Sequence, residues 1–368
     1  MSRLLLSAIT LSLSALSSTA QPLVPELLTD LPETLNEISG TILIGDALWG
    51  VADSGNPNAI YRFDPTTGNV LQTVVVTNAT NIDWEELTTD GEWVFVGDFG
   101  NNLGSRTDLR VFRIPVTSLE NSSTTEILAE VIEFNFADQT DFTPIFDGTN
   151  WDCEAFIALD DSLFIFTKNW VDQRTHLYAL SADPGVHSAI RRDTLITQGL
   201  ITGASLDATS NTIALIGYTT TGQPFVWQLG NYEEHDFFGG TVLRSDIGLS
   251  LVQTESIVWM APDTVYFTHE NLLSGPARLW SLFLDLDQSI NDAQDLVDQL
   301  FRISGNDVLL NTSEANVLVQ VFTEDGKRVK NEVAKYGRIS VIGLAPGLYV
   351  FKATIGPRYF SEVLSIAR

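Results

Sequence analysis

Short apolar strands recur along this chain, and no long stretch between them repeats its hydrophobic positions at the helical period. Five segments open in a similar way: "NEISGTIL" (36–43), "IDWEELTT" (82–89), "WDCEAFIA" (151–158), "LITGASLD" (200–207) and "VQTESIVW" (252–259). With Ser39, Glu85, Glu154, Thr202 and Glu255 taken as equivalent, the spacings are 46, 69, 48 and 53 residues. Each is followed by a second apolar strand that ends in polar residues: "LWGVADSGN", "VFVGDFGNN", "LFIFTKNW", "IALIGYTT" and "VYFTHEN". A third strand carries one aromatic in a fixed place, namely Tyr61, Phe112, Tyr178, Trp227 and Trp280. Turn residues separate these strands. A repeated unit of three to four strands predicts an all-β fold, a five-bladed β-propeller, with one aromatic per blade buried against the neighbouring sheet.

The segment "LVPELLTDLP" (23–32) is expected to supply the outer strand missing from the fifth unit and so close the ring. Inserts at 103–108 and 116–149 account for the long second spacing, and a sixth, degenerate blade built from 116–149 is the alternative. Residues 286–300 turn polar and acidic and read as a linker. Residues 301–368 return to short alternating strands, predicting a small C-terminal β-sandwich. The propeller is therefore expected over residues 21–285.

Residues 1–20 read as a secretory signal peptide, with Arg3, an apolar stretch from Leu4 to Leu16, and Ser18-Thr19-Ala20 before the cleavage point. The stretch is short and serine-rich for a spanning helix, and no other apolar window is long enough. The product is expected to be secreted or held at the outer cell surface. The single cysteine, Cys153, cannot form an intramolecular disulfide; it sits between two acids and reads as a small core residue.

Charge sharpens the picture. The formal net charge is −27. Residues 1–300 hold 11 Lys and Arg against 41 Asp and Glu, whereas 301–368 hold 9 against 6. Nucleic acid and anionic membranes are disfavoured as partners of the main body, and cations are favoured.

In a propeller the first strand lines the channel, and side chains two apart share a face. Glu37, Asp83, Glu85, Asp152, Glu154 and Glu255 are then expected in two stacked rings. The ends of the second strands bring Asp53, Asp98, Lys168, Asn169, Tyr218, His269 and Glu270 to the same mouth. Crowded carboxylates must be protonated or neutralised by cations. Oxygen donors without cysteine suit a hard ion such as Ca2+, with Glu37, Asp83, Glu85, Asp152, Glu154, Glu255, Asp98 and Asn169 as candidate ligands. Zinc is disfavoured because His176, His187, His235 and His269 form no ligand-spaced pair. His269 and Glu270 are the candidate catalytic groups, and Asp53, Lys168 and Tyr218 the candidate ligand contacts. Structural or solvated acids, cation ligands and catalytic groups all stay open as roles for the cluster. "GDFGNN" (97–102) and "DSGN" (53–56) precede no helix, so they read as turns with glycine at positive φ rather than phosphate loops.

Two resemblances follow. "VFTEDGKRV", "GLAPGLYVFKA" and "YFSEVLSIAR" resemble the C-terminal sorting domain of type IX secretion cargo in Bacteroidota, most specifically at Leu344, Pro346, Gly347 and Tyr349. "FRISGNDVL" stands where that family has a Pro-Asn-Pro element. This resemblance implies the type IX secretion machinery as a partner. "EISG" with "LWGVADSG", and "DWEEL" with "VFVGDFGNN", resemble the esterase-like-phytase and SdiA-regulated group of secreted propellers, and more distantly the gluconolactonase-type calcium propellers. That resemblance implies Glu85, Glu154 and Glu255 as ligands of a divalent ion, with Asp98 and Asn169 in support. The fourth unit departs from it with Leu200 and Thr202.

Two functions remain in view. One is a ligand-binding module for a small molecule, glycan or protein. The other is a Ca2+-dependent hydrolase of phosphate or carboxylic esters or lactones. Basic groups near the mouth are few, Lys168 with Arg106 and Arg174 as further candidates, which favours binding or an uncharged substrate.

Overall fold

The computed structural model describes residues 22–271, 275–284, 301–304, 307–310, 317–323, 327–335, 337–355 and 358–366. The expected signal peptide (1–20) and linker (286–300) lie outside them. The chain divides into two units, Met1–Leu284 and Asp285–Arg368.

The first unit opens with β1 (Glu26–Asp30). Four strands then form an antiparallel meander: β2 (Ile38–Ile44), β3 (Ala47–Ala52), β4 (Ala59–Phe63) and β5 (Val70–Val76). The second meander joins β6 (Trp84–Thr89), β7 (Trp93–Asp98) and β8 (Leu109–Pro115); helix α1 (Val116–Glu120) and β9 (Glu126–Ile127) precede its fourth strand, β10 (Glu130–Phe136). The third comprises β11 (Asp152–Leu159), β12 (Ser162–Lys168), β13 (Arg174–Ser181) and β14 (Gly185–Ile196). The fourth comprises β15 (Leu200–Asp207), β16 (Thr212–Tyr218), β17 (Pro224–Gly230) and β18 (Thr241–Asp246). The fifth joins β19 (Val252–Ala261), β20 (Thr264–Asn271) and β21 (Arg278–Phe283), and its outer strand is β1, paired antiparallel with β21.

Parallel pairing of β10 with β14 fuses the second and third meanders into one eight-stranded sheet, and β9 extends the first sheet by pairing parallel with β5. The insert 116–149 therefore builds no separate sheet. It supplies α1, β9 and the fourth strand of the second meander.

The first strands touch one another in cyclic order, β2 to β6, β11, β15, β19 and back to β2. The apolar cores lie between consecutive sheets. Trp49 and Val74 of the first meander pack with Trp84 and Phe112 of the second. Phe99 and Phe134 meet Phe156 and Tyr178, and Phe164 and Leu177 meet Leu215 and Trp227. Ile216 and Val226 meet Ile257 and Phe267. Tyr61 and Phe63 meet Val258 and Leu279 across the join between the first and fifth meanders. The third-strand aromatic thus contributes to every inter-sheet layer or packs against it. Burying one such ring stabilises by roughly 2–3 kcal/mol.

One irregularity recurs in all five first strands. Pairing with the second strand slips at the same point, between Ile38 and Gly40, Trp84 and Glu86, Cys153 and Ala155, Ile201 and Gly203, and Thr254 and Ile257. The residues passed over begin with Ser39, Glu85, Glu154, Thr202 and Glu255, the positions aligned from sequence. A β-bulge bends the strand and re-aims the side chains that follow it, so strict two-residue alternation fails from here on.

In the second unit a three-stranded sheet contains β22 (Phe301–Ser304), β23 (Asp307–Leu310) and β26 (Arg338–Ser340). A four-stranded sheet contains β24 (Leu318–Thr323), β25 (Arg328–Val333), β27 (Gly347–Ile355) and β28 (Arg358–Ile366). Both contribute to one core, which includes Phe301, Val308, Val319, Ile339 and Phe351. The Tyr349 hydroxyl donates to the Ala345 carbonyl at 2.9 Å, tying down the turn around Pro346 and Gly347. Among the described residues no helix is long and apolar enough to cross a membrane.

Candidate functional site

Antiparallel pairing sets the start of each first strand beside the end of its second strand: Trp84 opposite Asp98, Asp152 opposite Lys168, Gln253 opposite Glu270. A cavity of about 500 Å³ opens at this end of the first unit. The first strands and their leading residues contribute Glu37, Asp83, Glu85, Glu154 and Glu255 to its lining, and the second-strand ends contribute Asp53 and Glu270. Among the described residues two cations, Lys168 and Arg106, line the cavity with these seven carboxylates.

The bulge position serves two ends. In the first and fourth meanders it is a hydroxyl that bonds to the neighbouring first strand: Ser39 Oγ donates to the Trp84 carbonyl at 2.9 Å, and Thr202 Oγ1 to the Thr254 carbonyl at 2.6 Å. In the other three it is Glu85, Glu154 or Glu255, and the carboxylate reaches the cavity. The departure of the fourth unit from the acidic pattern is thus a strand-to-strand tie.

The acids crowd one another. A Cβ on Gly100 would lie 2.2 Å from Glu85 Oε1 and 2.5 Å from Asp83 Oδ2, so both carboxylates rest against the bare backbone there. Burial, with the charges of Asp53 and Asp152, pushes Asp83 up to about 6. Burial and then the Glu154 and Asp83 charges raise Glu85 well above the carboxylate range. Glu255 rises likewise through burial and Glu154. Burial and the Asp53 and Glu37 charges bring Glu270 to about 7. Burial also raises Asp53, opposed by Ser54.

Lys168 and Glu154 form a buried ion pair through Glu154 Oε1. Burial pushes Glu154 up to about 8, with Lys168 pulling the other way. Burial works against the Lys168 ammonium, but Glu154 and its neighbours outweigh it and hold the group protonated. The ammonium also lies 4.8 Å from the Trp170 ring centre and 5.6 Å from that of Tyr218. Glu154 Oε2 is buried without a hydrogen-bond partner among the described residues.

Several expected site residues face elsewhere. Asp152 is outside the lining. Its Oδ1 accepts from the Asn101 and Cys153 backbone N–H groups at 2.7 and 3.0 Å, and its Oδ2 from the Trp170 indole at 2.8 Å. Asp98 Oδ1 accepts from the Asp83 N–H at 3.0 Å and from Arg106 at 3.1 Å, with Arg110 3.6 Å from Oδ2; two guanidiniums already neutralise it. Asn169 accepts from the Thr167 hydroxyl at 2.6 Å and donates to Asp172 at 3.0 Å. His269 lies against Trp280, ring centres 5.7 Å apart, because it neighbours Glu270 on β20 and successive strand residues face opposite ways. The Tyr218 hydroxyl accepts from Gln253 at 3.0 Å, at the edge of the site. Arg106, reached from the 103–108 insert, lines the cavity; Arg174 does not.

The turn motifs differ from expectation in one respect. Gly55 has φ of +85°, as a turn requires, whereas Gly97 and Gly100 have no positive φ. Close approach explains them: a Cβ on Gly97 would lie 2.1 Å from Phe99 Cε1, and Gly100 makes room for the two carboxylates.

The residue that sequence reasoning missed is Glu86. Alternation sends it to the blade side with Trp84, but the bulge at Glu85 turns it inward. Its Oε1 accepts from the Leu87 N–H at 2.9 Å and its Oε2 from the Ala204 N–H at 3.0 Å. The double Glu of "DWEEL" is the sequence signal that marked it.

The donors fit a hard cation in kind, since the cavity offers carboxylate oxygens and Glu154 Oε2 is unengaged. Among the described residues, however, no group of three or more His, Cys, Asp or Glu converges as a ready metal cage.

No family model matches the chain, and no curated protein matches it in sequence. Among solved structures, PorZ, described as an essential bacterial surface component of the type-IX secretion system of Porphyromonas gingivalis, is 11% identical, with a TM-score of 0.33. That likeness covers 90% of this chain but 45% of PorZ, so the chain spans about half of PorZ's length. An exo-β-1,3-galactanase from Phanerochaete chrysosporium is 10% identical over 94% of both chains, with a TM-score of 0.44. The α-L-arabinofuranosidase PaAbf62A from Podospora anserina is 10% identical over 71% of this chain and 96% of its own, with a TM-score of 0.37. Scores this low carry neither function nor site residues over to this chain.

Proposed function

We propose that the first unit is a five-bladed β-propeller acting as a secreted or cell-surface ligand-binding module, with the acidic cavity as its binding site. One observation carries this reading: among the described residues seven carboxylates line one cavity against two cations. Such a cluster is costly in an unliganded protein and is relieved by a positively charged occupant. Ca2+ is the proposed ion, with Glu85, Glu255, Glu154 Oε2 and Asp83 as candidate oxygen donors rather than a ready-made cage. The second unit is proposed as the type IX sorting domain that delivers the module to the surface or medium, on the strength of its Leu344–Tyr349 motif.

The test is a Ca2+ titration of the purified chain followed by thermal melting. A rise of several degrees that Glu85→Gln and Glu255→Gln abolish supports the ion site. No response to Ca2+, Mg2+ or Mn2+ removes the metal from the proposal.

A hydrolase is the second reading, favoured by Asp83 near 6 and Glu270 near 7, which place exchangeable protons close to neutral pH. Ca2+ would supply a Lewis acid there, and Asp83 or Glu270 would take up or release the proton. Turnover of chromogenic phosphate, acetate or lactone substrates that Glu270→Gln abolishes would establish this reading; an inert protein would eliminate it.

A further inference from the structure

Two inserted segments form an apolar lip beside the acidic cavity. They are fastened to each other: the Ile145 N–H donates to the Leu103 carbonyl at 3.0 Å, and the Asp147 N–H to the Asn102 carbonyl at 3.1 Å. The Gln139 side chain donates to the Gly104 carbonyl at 2.8 Å. Gly104, at φ +66°, lies so close to Thr149 that a Cβ would come within 2.4 Å of its hydroxyl oxygen. This built scaffold holds apolar side chains out in water. Leu103 is 46% exposed, Ile145 52% and Phe146 72%. Leu103 and Phe146 line the cavity together with its acids. An exposed apolar patch on a fixed backbone beside a charged site is a recognition feature rather than a packing remnant.

We infer that the cavity takes an organic ammonium carried on an alkyl or aryl body. This rests on reading the cavity as a binding site and names the chemistry of its occupant. The volume of about 500 Å³ far exceeds what one ion and a few waters need, at about 30 Å³ per water. Among the described residues no three of these carboxylates converge as a metal cage. An ammonium has three donors that point apart and can reach separate carboxylates, where a metal ion would need them on one centre. Glu154 lines the cavity at 4% exposure, and its Oε2 has no hydrogen-bond partner among the described residues. The lip gives the apolar body of the ligand a surface on which to leave water.

Calorimetric titration of the full chain with phenethylammonium, with acetyl-Lys-Phe-amide and with CaCl2 tests this. Saturable binding of either amine is expected, and whichever binds more tightly shows whether the ammonium comes free or on a peptide. Phe146→Ala, at a position 72% exposed, should weaken amine binding about tenfold. Glu255→Gln should weaken amine binding as well. Amine binding that Phe146→Ala leaves unchanged overturns the inference. Saturable Ca2+ binding with no amine binding also overturns it but keeps the cavity as a binding site. Binding of neither overturns both.

Discussion

Glu86 Oε2 accepts a 3.0 Å hydrogen bond from the backbone N–H of Ala204, 118 residues away in sequence. The contact joins the first strand of the second meander to that of the fourth, while Oε1 takes the Leu87 N–H. A carboxyl group thus ties non-adjacent sheets together inside the ring. Burial raises its pKa well above the usual range, against the backbone N–H groups that favour the charge. Glu86→Ala would leave two buried N–H groups without acceptors, and we expect a loss of about 2–4 kcal/mol in urea unfolding. Glu86→Gln keeps an acceptor and should lose well under half of that. Equal losses in both variants would remove this role.

The Lys168–Glu154 pair makes a second case. Lys168→Met removes the ion-pair partner of the buried Glu154 carboxyl group and leaves it to neutralise by taking up a proton, and the expected cost is about 3 kcal/mol. The double variant Lys168→Met/Glu154→Gln removes both charges and should recover most of it. Denaturation midpoints of the three proteins form the double-mutant cycle, and a double variant no better than the single would show that the charges do not act as a pair.

Gly100 separates binding from stability. In Gly100→Ala the atoms nearest the new methyl are those of the Glu85 and Asp83 carboxyl groups. Those groups can rotate, so the melting temperature should shift by less than a few degrees. Their displacement should nonetheless weaken cation binding severalfold. Unchanged affinity in a titration would mean that these two carboxylates do not contact the ligand.

The pH dependence has a definite sign. Burial holds Asp83 at about 6, Glu270 at about 7 and Glu154 at about 8, against ordinary values of 3.8 for Asp and 4.5 for Glu. The folded state therefore binds more protons than the unfolded chain across this range. The resulting stabilisation is complete below the ordinary values and is lost as pH rises through 6, 7 and 8. Without added cation, the melting temperature should be several degrees lower at high pH than at mildly acidic pH, and Glu270→Gln should flatten the difference. A melting temperature that climbs with pH would contradict the crowding of these acids.

Much of the fold was legible because it rests on local regularities. Two-residue alternation broken by turn residues marked the strands, and a recurring aromatic marked the layers between sheets. The repeat aligns Ser39, Glu85, Glu154, Thr202 and Glu255, but that a bulge falls at each of them is a fact of the strand pairing. Asp152, Asp98, Asn169 and His269 lie outside the cavity lining for physical reasons that no local pattern carries. Asp152 is claimed by Asn101 and Trp170, and Asp98 by two arginines.

The sequence by itself determined an all-β chain of repeated units, its acidic character and the strand ends at which its carboxylates gather. Those properties follow from composition and short-range periodicity. Tertiary structure alone decided which acids face the cavity, that Glu86 turns inward to Ala204, and that two inserts join to hold Leu103 and Phe146 beside the acids. A bulge breaks the alternation by which a strand is read, and hydrogen bonds between residues far apart leave no periodic trace in the chain.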